Sequence, residues 1–114
     1  MPVHETNDAQ LPNFICKHAQ VIVKFTAEDC PVCKELAPAY QELSEQERYR
    51  DIIFLKLDAE ENPVTSKEVK QNGTPFIATY RNGVLKNYKL VSGENDIVIM
   101  LDELVNWNIS VTYF

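Results

Sequence analysis

The chain contains the run Val21-Ile22-Val23-Lys24-Phe25 and, after four intervening residues, the segment Cys30-Pro31-Val32-Cys33. The apolar run is short and broken only by Lys24, which is typical of a strand that is buried on both faces of a sheet. Pro31 suits the first turn of a helix, where its missing N–H is not needed. The sequence therefore predicts a strand-to-helix junction, with the sulfur of Cys30 at the helix N-terminus.

A thiol at that position favours its ionised form, because unpaired N–H groups and the helix dipole stabilise an anion. We expect Cys30 to be an exposed nucleophile and Cys33 to lie within bonding range of it. Two alternatives are a pair of structural thiols, or a zinc site completed by Cys16, His4 and His18. The spacing of those three residues fits no common zinc pattern, so we expect no metal.

The length of 114 residues predicts a single domain spanning residues 1–114, and 45% hydrophobic residues suffice for one core. The formal net charge of −6 argues against a nucleic acid or an anionic membrane as partner. No apolar run approaches the roughly 20 residues that span a bilayer, and the first residues do not resemble a secretory signal. Three cysteines, an odd number, do not suit a disulfide-stapled secreted scaffold. We therefore expect a cytoplasmic protein.

Hydrophobic periodicity and turn residues predict the other elements. Helices are expected at residues 8–18, 31–49, 63–72 and 97–105, the second with a kink at Pro38. Strands are expected at residues 21–25, 52–57, 76–81 and 84–91, the last two joined by a type I′ turn at Asn82-Gly83. Residues 1–7 are expected to be loosely held. The order predicts an α/β fold, with a mixed central sheet of four to five strands flanked by four helices.

Several further segments accompany the two cysteines in an order and spacing that resemble the thioredoxin family. They are Lys34 to Pro38, Lys56-Leu57-Asp58, Asn62-Pro63, Gly73-Thr74-Pro75 and Arg81-Asn82-Gly83. The resemblance extends from about Asn7 to Val105 and implies the thioredoxin fold. Residues 107–114 then form an extension beyond the usual end of the family. This extension could pair with a sheet edge, cover an apolar surface, mediate association or be only partly ordered.

The resemblance also implies a thiol–disulfide oxidoreductase that reduces protein disulfides. Cys30 would attack the substrate disulfide to form a mixed disulfide, and Cys33 would resolve it. The Thr74–Pro75 bond is expected to be cis and to lie beside the dithiol, because proline is where a cis bond costs little. The backbone of Thr74 would then pair with an extended substrate segment. Val32 and Gly93 would line the substrate groove.

The implied partners are a protein disulfide and an external reductant, either a flavin reductase or a small thiol. No metal or organic cofactor is expected, and the protein is expected to be a monomer. Two alternatives to a general reductase are a binding or regulatory module of this fold, and a reductase dedicated to one partner enzyme. The sequence names neither the substrate nor the redox potential.

Three positions depart from the family pattern. Asp29, after Glu28, stands where the family usually has a tryptophan, and Pro31-Val32 replaces the usual Gly-Pro between the cysteines. Negative charge beside Cys30 disfavours the thiolate and raises its pKa, which predicts a reducing poise. Lys24 stands where the family usually has a buried aspartate, and its charge acts in the opposite direction.

A charge at Lys24, in a central apolar strand, is costly unless it is paired. In one interpretation, its buried amine exchanges protons with Cys33. In the other, its stem lies along the core and its ammonium reaches water or Asp58. Lys56 complicates both interpretations, because Asp58 could be shared by the two lysines.

Two further expectations concern side chains outside the dithiol. Cys16 lies in the apolar stripe of the first helix and is expected to be buried. His4 and His18 are expected to be exposed, because neither belongs to an apolar pattern with other ligand types.

Overall fold

The computed structural model describes residues 3–27, 30–59, 62, 67 and 74–106. Its helices are α1 (Leu11–Lys17), α2 (Pro31–Ser44) and α3 (Glu94–Val105), with a 3₁₀ turn at Glu47–Tyr49. Its strands are β1 (Val3–Thr6), β2 (Gln20–Thr26), β3 (Ile53–Asp58), β4 (Phe76–Arg81) and β5 (Val84–Leu90). These helices correspond to three of the four predicted ones. The helix predicted at residues 63–72 falls almost entirely outside the described residues.

The five strands form one mixed sheet in the order β1-β3-β2-β4-β5. β1 and β2 both pair with β3 in parallel, whereas β4 pairs antiparallel with β2 and β5 antiparallel with β4. The predicted mixed sheet is therefore confirmed. Its central strand, β2, runs directly towards the cysteine segment.

Alternation along β2 divides the apolar residues between two cores. The larger core lies on the face covered by α2 and α3 and includes Ile22, Phe54 and Ile77. The smaller core lies on the opposite face, where half-buried side chains of α1 pack against Val21 and Val23. Because both faces are covered, the near-continuous apolar run of β2 is the pattern that such a strand requires.

The expectation that residues 1–7 are loosely held is wrong for Val3–Thr6. These residues form β1, in register with β3 from Val3 opposite Phe54 to Thr6 opposite Leu57. β1 is an edge strand and its His4 and Glu5 are exposed, so its sequence lacks the apolar signal of a buried strand. Backbone pairing, which leaves no mark on composition, holds it in place.

The turn between β4 and β5 matches its prediction. Asn82 and Gly83 both have positive φ, at 52° and 83°. A type I′ turn requires positive φ at both central residues, and its twist matches that of the flanking strands.

Among the described residues, we find no helix that is both long and apolar enough to cross a membrane.

Candidate active site

Cys30 and Cys33 form a disulfide at the start of α2, with their Cα atoms 5.2 Å apart. Cys30 is the N-cap of the helix and has extended backbone angles, whereas Cys33 lies in the first turn, two residues after Pro31. The strand-to-helix junction predicted from the sequence places both sulfurs there. The pair can therefore exist as a disulfide or, after reduction, as two neighbouring thiols.

The backbone of the first helical turn surrounds the sulfur of Cys30. The N–H of Cys33 donates a hydrogen bond to Cys30 Sγ at 3.1 Å, and the N–H of Lys34 donates to the Cys30 carbonyl at 3.3 Å. Helix N-termini present such unpaired N–H groups, which favour a negative charge. After reduction, the same N–H would stabilise a thiolate on Cys30 more than a neutral thiol.

Neither sulfur-bearing residue is open to solvent in this oxidised state. Cys30 is 4% exposed and Cys33 is 5% exposed, so the expectation of an exposed Cys30 is wrong for the disulfide form. The disulfide joins Cys30 to Cys33, whose side chain belongs to the buried face of α2 with Leu36 and Tyr40. The bond thus holds the Cys30 sulfur against the helix rather than towards solvent.

The Thr74–Pro75 peptide bond is cis, as the resemblance implied. Pro75 is buried and Thr74 is half-buried. The next residue, Phe76, pairs with Phe25, near the end of β2. β4 therefore begins at the same end of the sheet from which the chain continues to Cys30.

Gly93, a further predicted residue, leaves room at this end of the sheet. It is the half-buried N-cap of α3, and among the described residues other than its chain neighbours no heavy atom lies within 4 Å of the position that a Cβ would occupy. Val32 is half-buried against the larger core, while Pro31 is exposed. The open space beside Gly93 is compatible with an incoming polypeptide.

Lys24 is almost completely buried, with 2% exposure, on the face of β2 that α2 covers. Its Nζ lies 4.8 Å from the ring centroid of Tyr40, a cation–π contact. Lys56 stands in register beside it on β3. Burial, together with the charge of Lys56, lowers the pKa of Lys24 to about 8.

These contacts bear on both interpretations of Lys24. Among the described carboxylates, none forms an ion pair with Lys24, and Asp58 is exposed at the end of β3. The contact with Tyr40 lies about two helical turns beyond Cys33 in α2. The stem therefore lies in the core, as both interpretations require, while the ammonium contacts an aromatic ring that no feature of the sequence indicated as its partner. Proton exchange with Cys33 stays a prediction.

Asp58 and Lys56 line a polar cavity that is separate from the dithiol. They contribute to a polar cavity of about 750 Å³ at the carboxyl ends of β1 and β3, together with Asn62 and residues 5–9. Asn62 is buried there, accepts a hydrogen bond from the N–H of Asp8 at 2.9 Å, and donates one to the Asp58 carbonyl at 2.7 Å. No cysteine lines this cavity.

Four predicted side chains take other positions or lie outside the described residues. Asp29 and Glu28 lie outside the described residues, so their effect on Cys30 stays a prediction. Cys16 was expected to be buried but is exposed, because α1 is short and buries none of its residues. His18 is half-buried rather than exposed, since its ring stacks on Phe14 at 6.1 Å. Within the described part of the chain, no group of three or more metal-ligating side chains is placed to hold a metal.

Comparison with known proteins gives a consistent result. The thioredoxin family model matches residues 2–103. Thioredoxin 1 of Plasmodium falciparum is 36% identical over 92 residues, which cover 80% of this chain and 84% of that protein. A solved structure of Plasmodium falciparum thioredoxin has 27% identity and a TM-score of 0.77, covering 88% of this chain and 96% of the other.

A more distant structure shows the same fold. Thioredoxin of Malassezia sympodialis is 19% identical and superposes with a TM-score of 0.80, covering 92% of this chain and 95% of that protein. The likeness agrees with the mixed five-stranded sheet and the cysteine pair at the start of α2. The chain therefore belongs to the thioredoxin family of thiol–disulfide oxidoreductases.

Proposed function

We propose that this protein reduces disulfide bonds in other proteins, with Cys30 as the nucleophile and Cys33 as the resolving thiol. The observation that carries the proposal is the Cys30–Cys33 disulfide at the N-terminus of α2, with the N–H of Cys33 directed at Cys30 Sγ. An ionised thiol is the reactive form in disulfide exchange. Cys30 is the sulfur that the helix N-terminus stabilises in that form.

The reaction begins from the reduced protein. The Cys30 thiolate attacks one sulfur of the substrate disulfide, forming a mixed disulfide and releasing the other substrate sulfur as a thiolate. The Cys33 thiolate then attacks Cys30 Sγ, which forms the intramolecular disulfide and releases the second substrate thiolate. The protons released when the Cys30 and Cys33 thiols ionise pass through the solvent to the two product thiolates. Two electrons thus pass from the dithiol to the substrate.

The second step is fast because it is intramolecular. Cys33 follows Cys30 by three residues, on the first turn of α2, and the two are joined in the described structure. Positioning of this kind replaces a bimolecular encounter with a local one. The described disulfide corresponds to the product of this step, so each cycle needs an external two-electron reductant, either a flavin reductase or a small thiol.

An extended segment of the substrate would bind at the Pro75 end of the sheet. The backbone of Thr74, before the cis bond, would pair with it as an added strand. Val32 and the open space at Gly93 would border the same groove, with Pro31 at the rim. In this arrangement, the protein works as a monomeric single domain in the cytoplasm.

The experiment is reduction of insulin disulfides by the wild type, Cys30→Ser and Cys33→Ser. We expect neither variant to turn over, and only Cys33→Ser to accumulate a mixed disulfide, because its Cys30 can attack but nothing resolves the product. Cys16→Ser is the matched control and should retain full activity. Covalent trapping on Cys30→Ser instead of Cys33→Ser would contradict the assigned roles, and an inactive wild type would contradict the function.

Partners trapped on Cys33→Ser also distinguish a general reductase from a dedicated one. A general reductase should capture many proteins, whereas a reductase dedicated to one enzyme should capture a single dominant species. Both outcomes are consistent with the proposed roles of Cys30 and Cys33.

A further inference from the structure

The edge strand β5 has an unusual distribution of polar and apolar side chains. Two of its polar side chains face the layer of α2 and α3, where Asn87 donates to Glu103 of α3 at 2.9 Å and Lys89 pairs with Asp96 at 3.1 Å. Its apolar side chains on the other face are exposed to solvent. A strand packed on one side normally shows the opposite arrangement, with apolar residues towards the covering layer.

Three exposed side chains form this outward apolar row. Leu85 is 46% exposed, Tyr88 is 58% exposed and Leu90 is 53% exposed. A register shift between β4 and β5, next to Tyr80, inserts an extra residue into β5. Because a bulge offsets the alternation by one residue, it brings Leu85 onto the same face as Tyr88 and Leu90. The bulge thus extends the row instead of interrupting it.

The row is continuous with the end of the sheet that carries the cis peptide bond. Tyr88 contacts the ring of Phe76 at 5.9 Å between centroids, and Phe76 contacts Phe25 at 5.8 Å. Leu90 is in register with Phe76, the residue that follows Pro75. We call Leu85, Tyr88 and Leu90, with the half-buried rings of Phe25 and Phe76, the β5 apolar patch.

We propose that the β5 apolar patch binds an apolar segment of the protein substrate that flanks the disulfide being reduced. The inference rests on the proposed function, since the patch starts where the substrate groove is placed. From Leu90 to Leu85 the strand spans about 17 Å, enough for roughly five extended residues of substrate. Contiguous exposed apolar surface of this kind marks interaction sites, because burying it on binding is favourable.

The patch therefore confers a preference for proteins over small disulfides. A small disulfide reaches the dithiol but has no chain to lay along β5. A protein with apolar residues beside its disulfide gains additional contact, which lowers its KM without changing the chemistry at Cys30.

The test uses the prereduced full chain in single-turnover reactions at increasing concentrations of insulin or of glutathione disulfide. For Tyr88→Ser, we expect the half-saturating concentration of insulin to rise about fivefold, with its maximal rate and the glutathione disulfide rate unchanged. Leu85→Ser should act in the same direction. Val84→Ser is the matched control, because Val84 is 56% exposed on the same strand but faces the other side of the sheet.

Each other outcome overturns the inference. An unchanged insulin dependence in Tyr88→Ser would show that substrate does not use the patch, and a slower reaction with glutathione disulfide would place the effect at the dithiol. A wild-type dimer that Tyr88→Ser converts to a monomer would identify a self-association surface. Trp107 is the only tryptophan, so a shift of its emission in Tyr88→Ser would assign the patch to residues 107–114. A wild type that reduces neither substrate would instead refute the proposed function.

Discussion

Lys24 is the residue whose chemistry departs most from its surroundings. It is an amine with 2% exposure, placed between an aromatic ring and a second cation. The cation–π contact with Tyr40 offsets part of the cost of burial, and the neighbouring charge of Lys56 adds to that cost. The pKa of Lys24 is therefore lowered to about 8, because burial and the neighbouring charge of Lys56 both disfavour its charged form.

The lowered pKa of Lys24 should be detectable in the pH dependence of the free energy of unfolding. The native pKa of Lys24, about 8, is below its ordinary value of 10.5, so between those pH values the unfolded chain binds a proton that the native state lacks. Stability should therefore rise with pH across that window, by about 2 kcal/mol after allowance for solvent screening. Urea denaturation from pH 7 to 10 should show this rise in the wild type relative to Lys24→Met.

The matched control for that measurement is Lys34→Met, on the exposed side of α2. It removes an exposed lysine from the same helix, so it separates the effect of Lys24 from the loss of one positive charge. Lys24→Met should also be more stable than the wild type at pH 7, where the native lysine is charged at a cost. Parallel curves for the wild type and Lys24→Met would show that Lys24 has no shifted titration.

A substitution at Gly93 tests whether the substrate binds in the proposed groove. Within the described part of the chain, no residue beyond the two chain neighbours obstructs a Cβ there, and the backbone is extended, at φ −164°, so Gly93→Val should fold normally. If a substrate segment occupies that space, the variant should raise the KM for insulin about tenfold, through a clash equivalent to roughly 1.4 kcal/mol. Normal insulin kinetics in a correctly folded Gly93→Val would move the groove elsewhere.

At the scale of elements, α2 links the dithiol to the sheet. Its N-terminus caps the Cys30 sulfur, and its buried stripe of Cys33, Leu36, Tyr40 and Leu43 packs on the larger core. Tyr40 fixes the helix to two strands, because its hydroxyl lies 2.8 Å from the Leu55 carbonyl and 3.3 Å from that of Ile22. The predicted kink at Pro38, on the exposed side of this helix, stays a prediction.

Removing that hydroxyl should loosen the helix. Tyr40→Phe keeps the ring and leaves the two carbonyls without this donor, so we expect a loss of about 1–2 kcal/mol in the free energy of unfolding. Tyr88→Phe is the matched control, because it makes the same change on a side chain with 58% exposure and should cost almost nothing. Equal effects of the two substitutions would show that the buried hydroxyl is not a stabilising contact.

At the scale of the whole molecule, charge and fold predict the direction of electron flow. The chain carries a formal net charge of −6, and Glu28 and Asp29 adjoin the nucleophile in sequence. Negative charge disfavours the Cys30 thiolate, which makes the reduced form less stable and the protein a better reductant. The N–H of Cys33 at the start of α2, which points at Cys30 Sγ, opposes this effect.

We expect the midpoint potential to lie nearer the value of about −270 mV typical of thioredoxin than the value of about −120 mV of strongly oxidising periplasmic relatives. Equilibration with glutathione or dithiothreitol buffers measures it. Asp29→Asn should shift the potential towards oxidising values, because it removes a charge that opposes the thiolate. A midpoint near the oxidising value would refute the reducing poise.

Most of this architecture could be predicted from the sequence, because it is encoded by local signals. The Asn82-Gly83 turn needs positive φ, and the helix start at Pro31 needs no N–H, so both leave marks in the chain. β1 could not be predicted, since an edge strand with exposed His4 and Glu5 is held by backbone pairing. The prediction that Cys16 is buried was wrong, because helical spacing does not reveal how much of a short helix the sheet covers.

The candidate active site likewise has some features that the sequence predicts and others that it does not. The position of its cysteines follows from their spacing after β2, whereas the cis bond before Pro75 was expected from the resemblance to the thioredoxin family. The contact between Lys24 and Tyr40 could not be predicted, because it depends on how far α2 lies across β2 and on the direction of a long side chain.

The exposure of Cys16 makes the redox state of the protein directly countable. Of three cysteines, two are joined in the disulfide, which leaves one thiol accessible to an alkylating reagent in the native oxidised chain. Full reduction followed by unfolding should give three, and the difference of two equals the electrons that each molecule stores. The same lone thiol can couple two molecules in air, so storage without a reductant should yield covalent pairs that Cys16→Ser does not form.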